Sequence, residues 1–148
     1  MSDWPRHSGV SVPESFDRLI PHRPPFRFVD DVLEVGDESA ELVLRLVPGD
    51  ARLTNGRLAP LFLIEALAQA AAAFHGLKNA GTPEAGMLVQ LDRVQLLAAA
   101  CEGDEVHLTV RRTHTLGALV RFDGRVRVAD CLLAAGELTV ARSFEGTG

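Results

Sequence analysis

Two residues of this chain, Glu65 and Gln69, have the types and the spacing to do chemistry together. They interrupt APLFLIEALAQAAAAF, residues 59–74, a stretch with no other polar side chain. An ionised carboxylate inside an apolar helix costs several kcal/mol unless it is paired, protonated or turned toward a solvent-lined pocket. Four positions apart, the two side chains share one helix face, so Gln69 could orient Glu65 or a water that Glu65 holds. A satisfied buried carboxyl without chemistry is the plainer alternative. Elsewhere the sequence carries no metal-ligand spacing, no phosphate-cradling glycine loop and no Ser-His-Asp order. His75, His107 and His114 have no convergent partners in sequence and read as structural. Cys101, which follows Ala98–Ala100, reads as a small buried thiol rather than a nucleophile.

The chain of 148 residues is expected to form one domain over 1–148, with residues 1–17 a mobile lead-in. A composition of 47% hydrophobic and 24% charged residues is that of an ordinary globular protein, and a net charge of −5 gives no reason to expect nucleic acid. Cys101 and Cys131 make neither a disulfide framework nor a zinc cluster, and MSDWPRHSGVSVPESFDRL lacks the apolar core of a secretion signal. A reducing cytoplasm is the expectation. The Ala-rich helix is apolar for only about 17 residues and contains Glu65 and Gln69, whereas a membrane span wants ~20 largely uninterrupted ones. No span is expected.

Turn residues and periodicity outline the elements. VPESFDRLI can form one short helix, which PHRPPF stops, because proline removes amide donors and forces extended backbone. FRFVDDVLEV and SAELVLRLV read as strands; in the second, Leu42, Leu44 and Leu46 alternate with Glu41, Val43 and Arg45. PGDARLTNG is a loop, and a long helix follows from about Leu58 to Leu77. AGMLVQLDRVQLLAAA is a further strand. Residues 104–142 hold three more, with turns near Leu116–Gly117 and Val128–Asp130, and FDGR as a bulge or tight bend. The fold class is α+β: a curved antiparallel sheet of about six strands wrapped around one long central helix. The run AQAAAA suits this, since small side chains let a sheet approach the helix closely; high helix propensity explains the same alanines more blandly.

These residues resemble a known family. LIPHRPPFRFVDDVLEV is similar to the opening of the hotdog-fold 3-hydroxyacyl-(acyl carrier protein) dehydratases, which often read L-x-P-H-R-x-P-F and then V-D-x-V-L-E. LIEALAQAAA is similar to their central helix, and the order of elements is that of a hotdog. By motif the resemblance covers about residues 18–98, and it lies nearest the branch found with aryl-polyene biosynthesis. It implies that Glu65 is the helix acid facing a tunnel for a phosphopantetheine-linked acyl chain, and that Gln69 is the helix glutamine. In that family the acid helps the 3-hydroxyl leave as water, which answers the poor leaving ability of hydroxide. A loop histidine takes the C2 proton, from the other subunit of a dimer. The implied partners are an acyl carrier protein or acyl thioester, and a homodimer or heterodimer with another hotdog chain. No cofactor beyond the carried phosphopantetheine is implied.

The sequence also departs from the pattern. The family's histidine lies in G-H-F-P, fourteen positions before the acid, where this chain has Ala51; no histidine lies between His22 and His75. The M-P-G that opens the family's helix reads Leu58-Ala59-Pro60, so Pro60 replaces a glycine whose amide helps hold the thioester carbonyl, and proline has no amide hydrogen. Pro60 and Leu61 are nevertheless candidates to line that position. His22 is the leading substitute base, against a purely local capping role. Asn55 could bind the thioester carbonyl, against a simple Asn-Gly turn; Asp50 lies in the same loop. Arg23, Arg27, Arg52, Arg57 and Arg93 form either a docking patch for an acidic carrier and its phosphate or an ordinary solvated surface. Three readings follow, in order: a dehydratase using His22 with Glu65, a non-catalytic subunit pairing with an active hotdog chain, and a hotdog acyl thioesterase.

Overall fold

Alternation of apolar and polar residues builds part of the sheet. In a computed structural model, which describes residues 26–78 and 86–142, SAELVLR forms strand β2, Ser39–Arg45, with Leu42 and Leu44 buried and Glu41 half-exposed, while Val43, expected on the outward side with Glu41 and Arg45, is fully buried as well. It pairs on one side with β1, Asp31–Val35, and on the other with β6, Glu105–Leu116. The sheet continues through β7, Leu119–Val128, and β8, Cys131–Arg142, to β4, Gly86–Leu96, in the order β1-β2-β6-β7-β8-β4, every pairing antiparallel. The turns of this meander fall where expected: Gly117 and Ala129, both at positive φ, make the β6–β7 and β7–β8 corners. The expected six-stranded antiparallel sheet around one helix is therefore present.

That helix, α1, is Pro60–Lys78. It starts two residues later than expected because Leu58 belongs to a two-residue strand, β3 (Arg57–Leu58), paired with β5 (Ala100–Cys101). Pro60 takes the first helical position, where a missing N–H costs nothing, and the Phe62 amide closes the first turn on the Ala59 carbonyl at 2.9 Å. By length and composition α1 could cross a bilayer, but 56% of that window is buried inside this fold. Leu63, Leu67, Ala70 and Phe74 pack on Leu42, Leu44, Leu108, Val110, Phe122 and Leu138. Phe74 meets Phe122 edge-on at 6.0 Å, with Lys78 and Arg112 over its ring.

The remaining differences are local. The first strand shrinks from 26–35 to Asp31–Val35, the second ends at Arg45, and the strand after the helix ends at Leu96. Cys101 is exposed, not buried: in β5 it is Ala100 that takes the inward position. FDGR is neither bulge nor bend. Register runs unbroken there, Asp123 against Glu137 and Gly124 against Gly136, and the bulges lie elsewhere, as between Val126 and Arg127. Gly124 is instead a point of close approach. A Cβ there would stand 2.9 Å from Leu67 Cδ1 and 3.1 Å from Leu138 Cδ1.

Alanine normally stabilises a strand relative to glycine by roughly 0.5–1 kcal/mol. Both leucines are fully buried and cannot swing into solvent, so overlap wins. Gly124→Ala is expected to lose about 1–3 kcal/mol in urea unfolding; a gain in stability would show that the helix does not approach this strand so closely. The proposed short helix over residues 12–20 and the lead-in lie outside the described residues.

Candidate functional site

Gln69 is held by the backbone of residues 26–28, a segment that runs irregularly into β1. Its Oε1 accepts the Phe28 amide at 2.7 Å, and its Nε2 donates to the Phe26 carbonyl at 2.9 Å. With one backbone donor and one backbone acceptor to satisfy, the side-chain amide has a single consistent orientation. The same Nε2 then donates to Glu65 Oε1 at 3.1 Å. The pairing expected from the i, i+4 spacing is therefore present, and it is directional: the oxygen facing Gln69 must be an acceptor. Gln69 is 1% exposed, whereas Glu65 is only half-buried. Glu65 belongs to a stripe that the chain's own sheet leaves partly uncovered: Leu61, Glu65, Ala68, Ala72 and His75, repeating every three or four residues.

A second knot lies next to the first, centred on Arg52. Its Nη1 donates to the Arg27 carbonyl at 3.0 Å and to Asp30 Oδ1 at 3.1 Å. Its Nη2 donates to Asp30 Oδ2 at 3.2 Å, to the Arg45 carbonyl at 3.1 Å and to Asp50 Oδ2 at 2.8 Å, and Nε donates to Asp50 Oδ1 at 3.0 Å. Every guanidinium nitrogen is engaged. The hydrogen bonds from Arg52 hold the Asp50 carboxyl below the usual aspartate range, against the opposing effect of its burial. The two carboxylates raise the Arg52 guanidinium's own affinity for its proton although burial opposes them. This cluster was not foreseen. Its signal was an arginine two residues after an aspartate, in a loop otherwise poor in side-chain anchors.

The other candidates are placed as follows. Asn55 and Gly56, at φ 53° and 74°, are the two central residues of a tight turn closed by Thr54 and Arg57, the conformation that Asn-Gly favours. Asn55 is exposed. Pro60 and Leu61 open α1, and the Leu61 side chain is exposed. Ala51 is exposed within the Asp50–Arg52 loop. Arg52 is committed to the interior knot and cannot serve a docking patch, while Arg57 and Arg93 are exposed and Arg27 is half-buried. His22 and Arg23 lie outside the described residues.

The described histidines are positioned away from the acid. His75 is ten residues further along α1, about 15 Å at 1.5 Å per residue. His107 alternates with the inward-facing Val106 and Leu108 and bonds Glu41 at 2.9 Å and Glu105 at 3.1 Å. His114 lines a surface hollow of about 320 Å³ with Glu38, Arg112, Thr113 and Thr115. Among the described residues no cluster of His, Cys, Asp or Glu could hold a metal ion.

Comparison with known proteins bears on the fold and the family. The dehydratase FabZ, a 3-hydroxyacyl-(acyl-carrier-protein) dehydratase, of Methylobacterium sp. strain 4-46 is 29% identical over 129 residues, 81% of this chain and 78% of that protein. FabZ of Methylobacterium nodulans is 27% identical over 147 residues, 93% of this chain and 92% of that protein. Among solved structures, the dehydratase heterocomplex ApeI:P from Xenorhabdus doucetiae superposes with a TM-score of 0.77 at 20% identity, covering 88% of this chain and 91% of that one. An HP0420 homologue from Helicobacter felis superposes at 0.66 with 15% identity, covering 89% and 92%. At such identities the two structures speak for the fold, which is the hotdog. The family pattern itself, ApeP-like and described as ApeP dehydratase, matches residues 14–146, and on that match the chain belongs to the ApeP-like dehydratases.

Proposed function

We propose that this chain takes part in the dehydration of a 3-hydroxyacyl thioester carried on the phosphopantetheine of an acyl carrier protein, with Glu65 as the acid. The observation that carries this reading is the fixed Gln69–Glu65 contact on the uncovered stripe of α1. Toward Glu65 the Gln69 amide presents only its Nε2 donor, so it keeps one carboxyl oxygen as an acceptor and leaves the acid's proton to the other. In the reaction a base removes the C2 proton and the C2=C3 bond forms. The C3–O bond breaks, and Glu65 protonates the departing hydroxyl so that it leaves as water. No cofactor of the chain's own is required. Pro60 has no amide to offer a thioester carbonyl, which makes the Leu61 amide the next donor at the helix start.

His22 is the chain's own candidate base. A second arrangement is favoured by the exposed Ala51 in the loop before the acid and by the distance of His75 along α1. In it the histidine comes from a different hotdog chain and this chain supplies the acid. Incubation with a 3-hydroxyacyl carrier thioester, with and without a co-expressed hotdog chain, tests both. Loss of water from the acyl group is the expected result, in the first case from this chain unaided. Release of free thiol instead would mark a thioesterase and overturn the reading.

Pairing with a second hotdog chain, identical or not, is part of the proposal. Strand β4 is the last strand of the sheet, and its Leu91, Val94 and Leu96 are 39%, 38% and 47% exposed. An apolar open edge of this kind invites another strand, and the uncovered stripe of α1, with small Ala68 and Ala72, lets a partner come close. Leu91→Lys is expected to reduce the mass measured by light scattering to that of one chain, with the fold intact by circular dichroism. An unchanged assembly would place the interface elsewhere.

A further inference from the structure

The two knots around residues 26–30 share one piece of backbone. Gln69 takes the Phe26 carbonyl and the Phe28 amide, while Arg52 takes the Arg27 carbonyl that lies between them and the Asp30 carboxylate just beyond. Three successive backbone groups of an irregular segment are thus fixed by two side chains, one from the 47–56 loop and one from the middle of α1. The loop end of this arrangement is anchored as well. The Asp50 amide bonds the Val47 carbonyl, the Leu53 amide bonds the Asp50 carbonyl, and the Gly49 amide bonds Glu102 Oε1 at 3.0 Å. The Glu102 amide bonds the Gly56 carbonyl, and β3 pairs with β5. Asp30 is held in turn, its Oδ2 accepting the Arg45 amide at 2.7 Å. The Arg52 side chain is 11% exposed, and its guanidinium meets two carboxylates and two carbonyls in fixed directions. A lysine ammonium could satisfy only part of that set.

We propose that Arg52 is a positioning residue for Glu65, acting through the 26–28 backbone and Gln69. Gln69 can present its Nε2 to Glu65 only while the Phe26 carbonyl and the Phe28 amide stay where they are. Arg52 holds the backbone between them through the Arg27 carbonyl. Loss of the guanidinium removes its hydrogen bond to the Arg27 carbonyl and sets Asp30 and Asp50 against each other without the Arg52 cation between them. The segment then moves, the Gln69 amide follows it, and the acid loses its fixed acceptor geometry. An ordinary surface ion pair would have none of these consequences. The inference rests on Glu65 being the acid of the reaction proposed above, but the motion it describes can be read without turnover.

The test is Arg52→Ala, with Arg52→Lys beside it, in the full chain together with its partner where one is needed. In ¹⁵N-resolved NMR the Gln69 side-chain amide protons, identified by their absence in Gln69→Leu, are expected to lose their separate resonances. The Phe28 amide is expected to exchange with solvent at least tenfold faster. In the dehydration assay kcat is expected to fall about tenfold to a hundredfold, the scale of a displaced catalytic group, with KM little changed. Arg52→Lys, which keeps the charge and the fold, is expected to move the same resonances and rate in the same direction to a smaller extent. Unchanged Gln69 and Phe28 signals in both variants would overturn the proposal. If the signals move while wild type and variants show no turnover, the positioning stands and the dehydration reading fails. Signals that move with kcat unchanged would show that Arg52 positions the segment but not the acid, and would overturn the proposal as stated.

Discussion

Glu65→Gln is expected to lower the dehydration rate by about 10²–10⁴-fold, the range that a positioned acid contributes. The substitution is close to isosteric, and a glutamine at 65 still presents a carbonyl oxygen to Gln69 Nε2, now 3.1 Å from Glu65 Oε1. The hydrogen bond therefore survives and the proton does not. For the same reason the folded state is expected to change by no more than about 0.5 kcal/mol, and affinity for the acyl carrier is expected to hold. A large loss of stability would mean that the carboxylate is mainly a structural partner. Unchanged turnover in an otherwise active assembly would mean that another group protonates the hydroxyl.

Gln69→Leu is expected to behave in the opposite way, with a large cost to stability. Leucine matches the volume but leaves the buried Phe28 amide and the Phe26 carbonyl without their partner. A buried polar group stranded in this way costs about 1–3 kcal/mol. The Phe28 amide carries most of that, the more exposed Phe26 carbonyl less, and a loss of about 2–4 kcal/mol in denaturant unfolding is the expected sum. The partial compensation available is apolar: leucine would pack among the alanines of α1. Activity should fall as well, because the Gln69 hydrogen bond that orients the Glu65 oxygen is then lost. If stability fell by less than about 0.5 kcal/mol, the 26–28 segment would have to be held by other contacts, and the coupling to Arg52 would lose its middle link.

What could be read in the sequence were the relations that span one turn of helix or one pleat. Glu65 and Gln69 meet because they are four residues apart on a helix, and Leu42 and Leu44 are buried because they alternate along a strand. The order of the long elements along the chain followed from turn residues such as Gly117. What could not be read depends on contacts between distant positions. Arg52 reaches Asp30 twenty-two positions away and the Arg27 carbonyl twenty-five away, so its types and neighbours read only as a surface cation in a loop. Gly124 looks like a bulge in the sequence, yet Leu67 from a helix far back in the chain decides its role. Strands β3 and β5 are two residues each, too short for any alternation to show. The same limit misled the reading of Cys101, whose apolar neighbours suggested burial while its place in β5 turns it outward.

In the reading proposed above, Ala51 and Pro60 stand where the resembled pattern has its loop histidine and helix glycine, while Glu65 and Gln69 meet at 3.1 Å. In the second arrangement proposed above, a chain that supplies the acid is suited to an assembly in which another hotdog chain supplies the histidine. The decisive measurement is the intact mass of a 3-hydroxyacyl carrier protein incubated with this chain and a histidine-bearing hotdog partner, comparing wild type with Glu65→Gln. The account predicts loss of one water with wild type and almost none with the variant over the same time. Equal loss of water from both would contradict it.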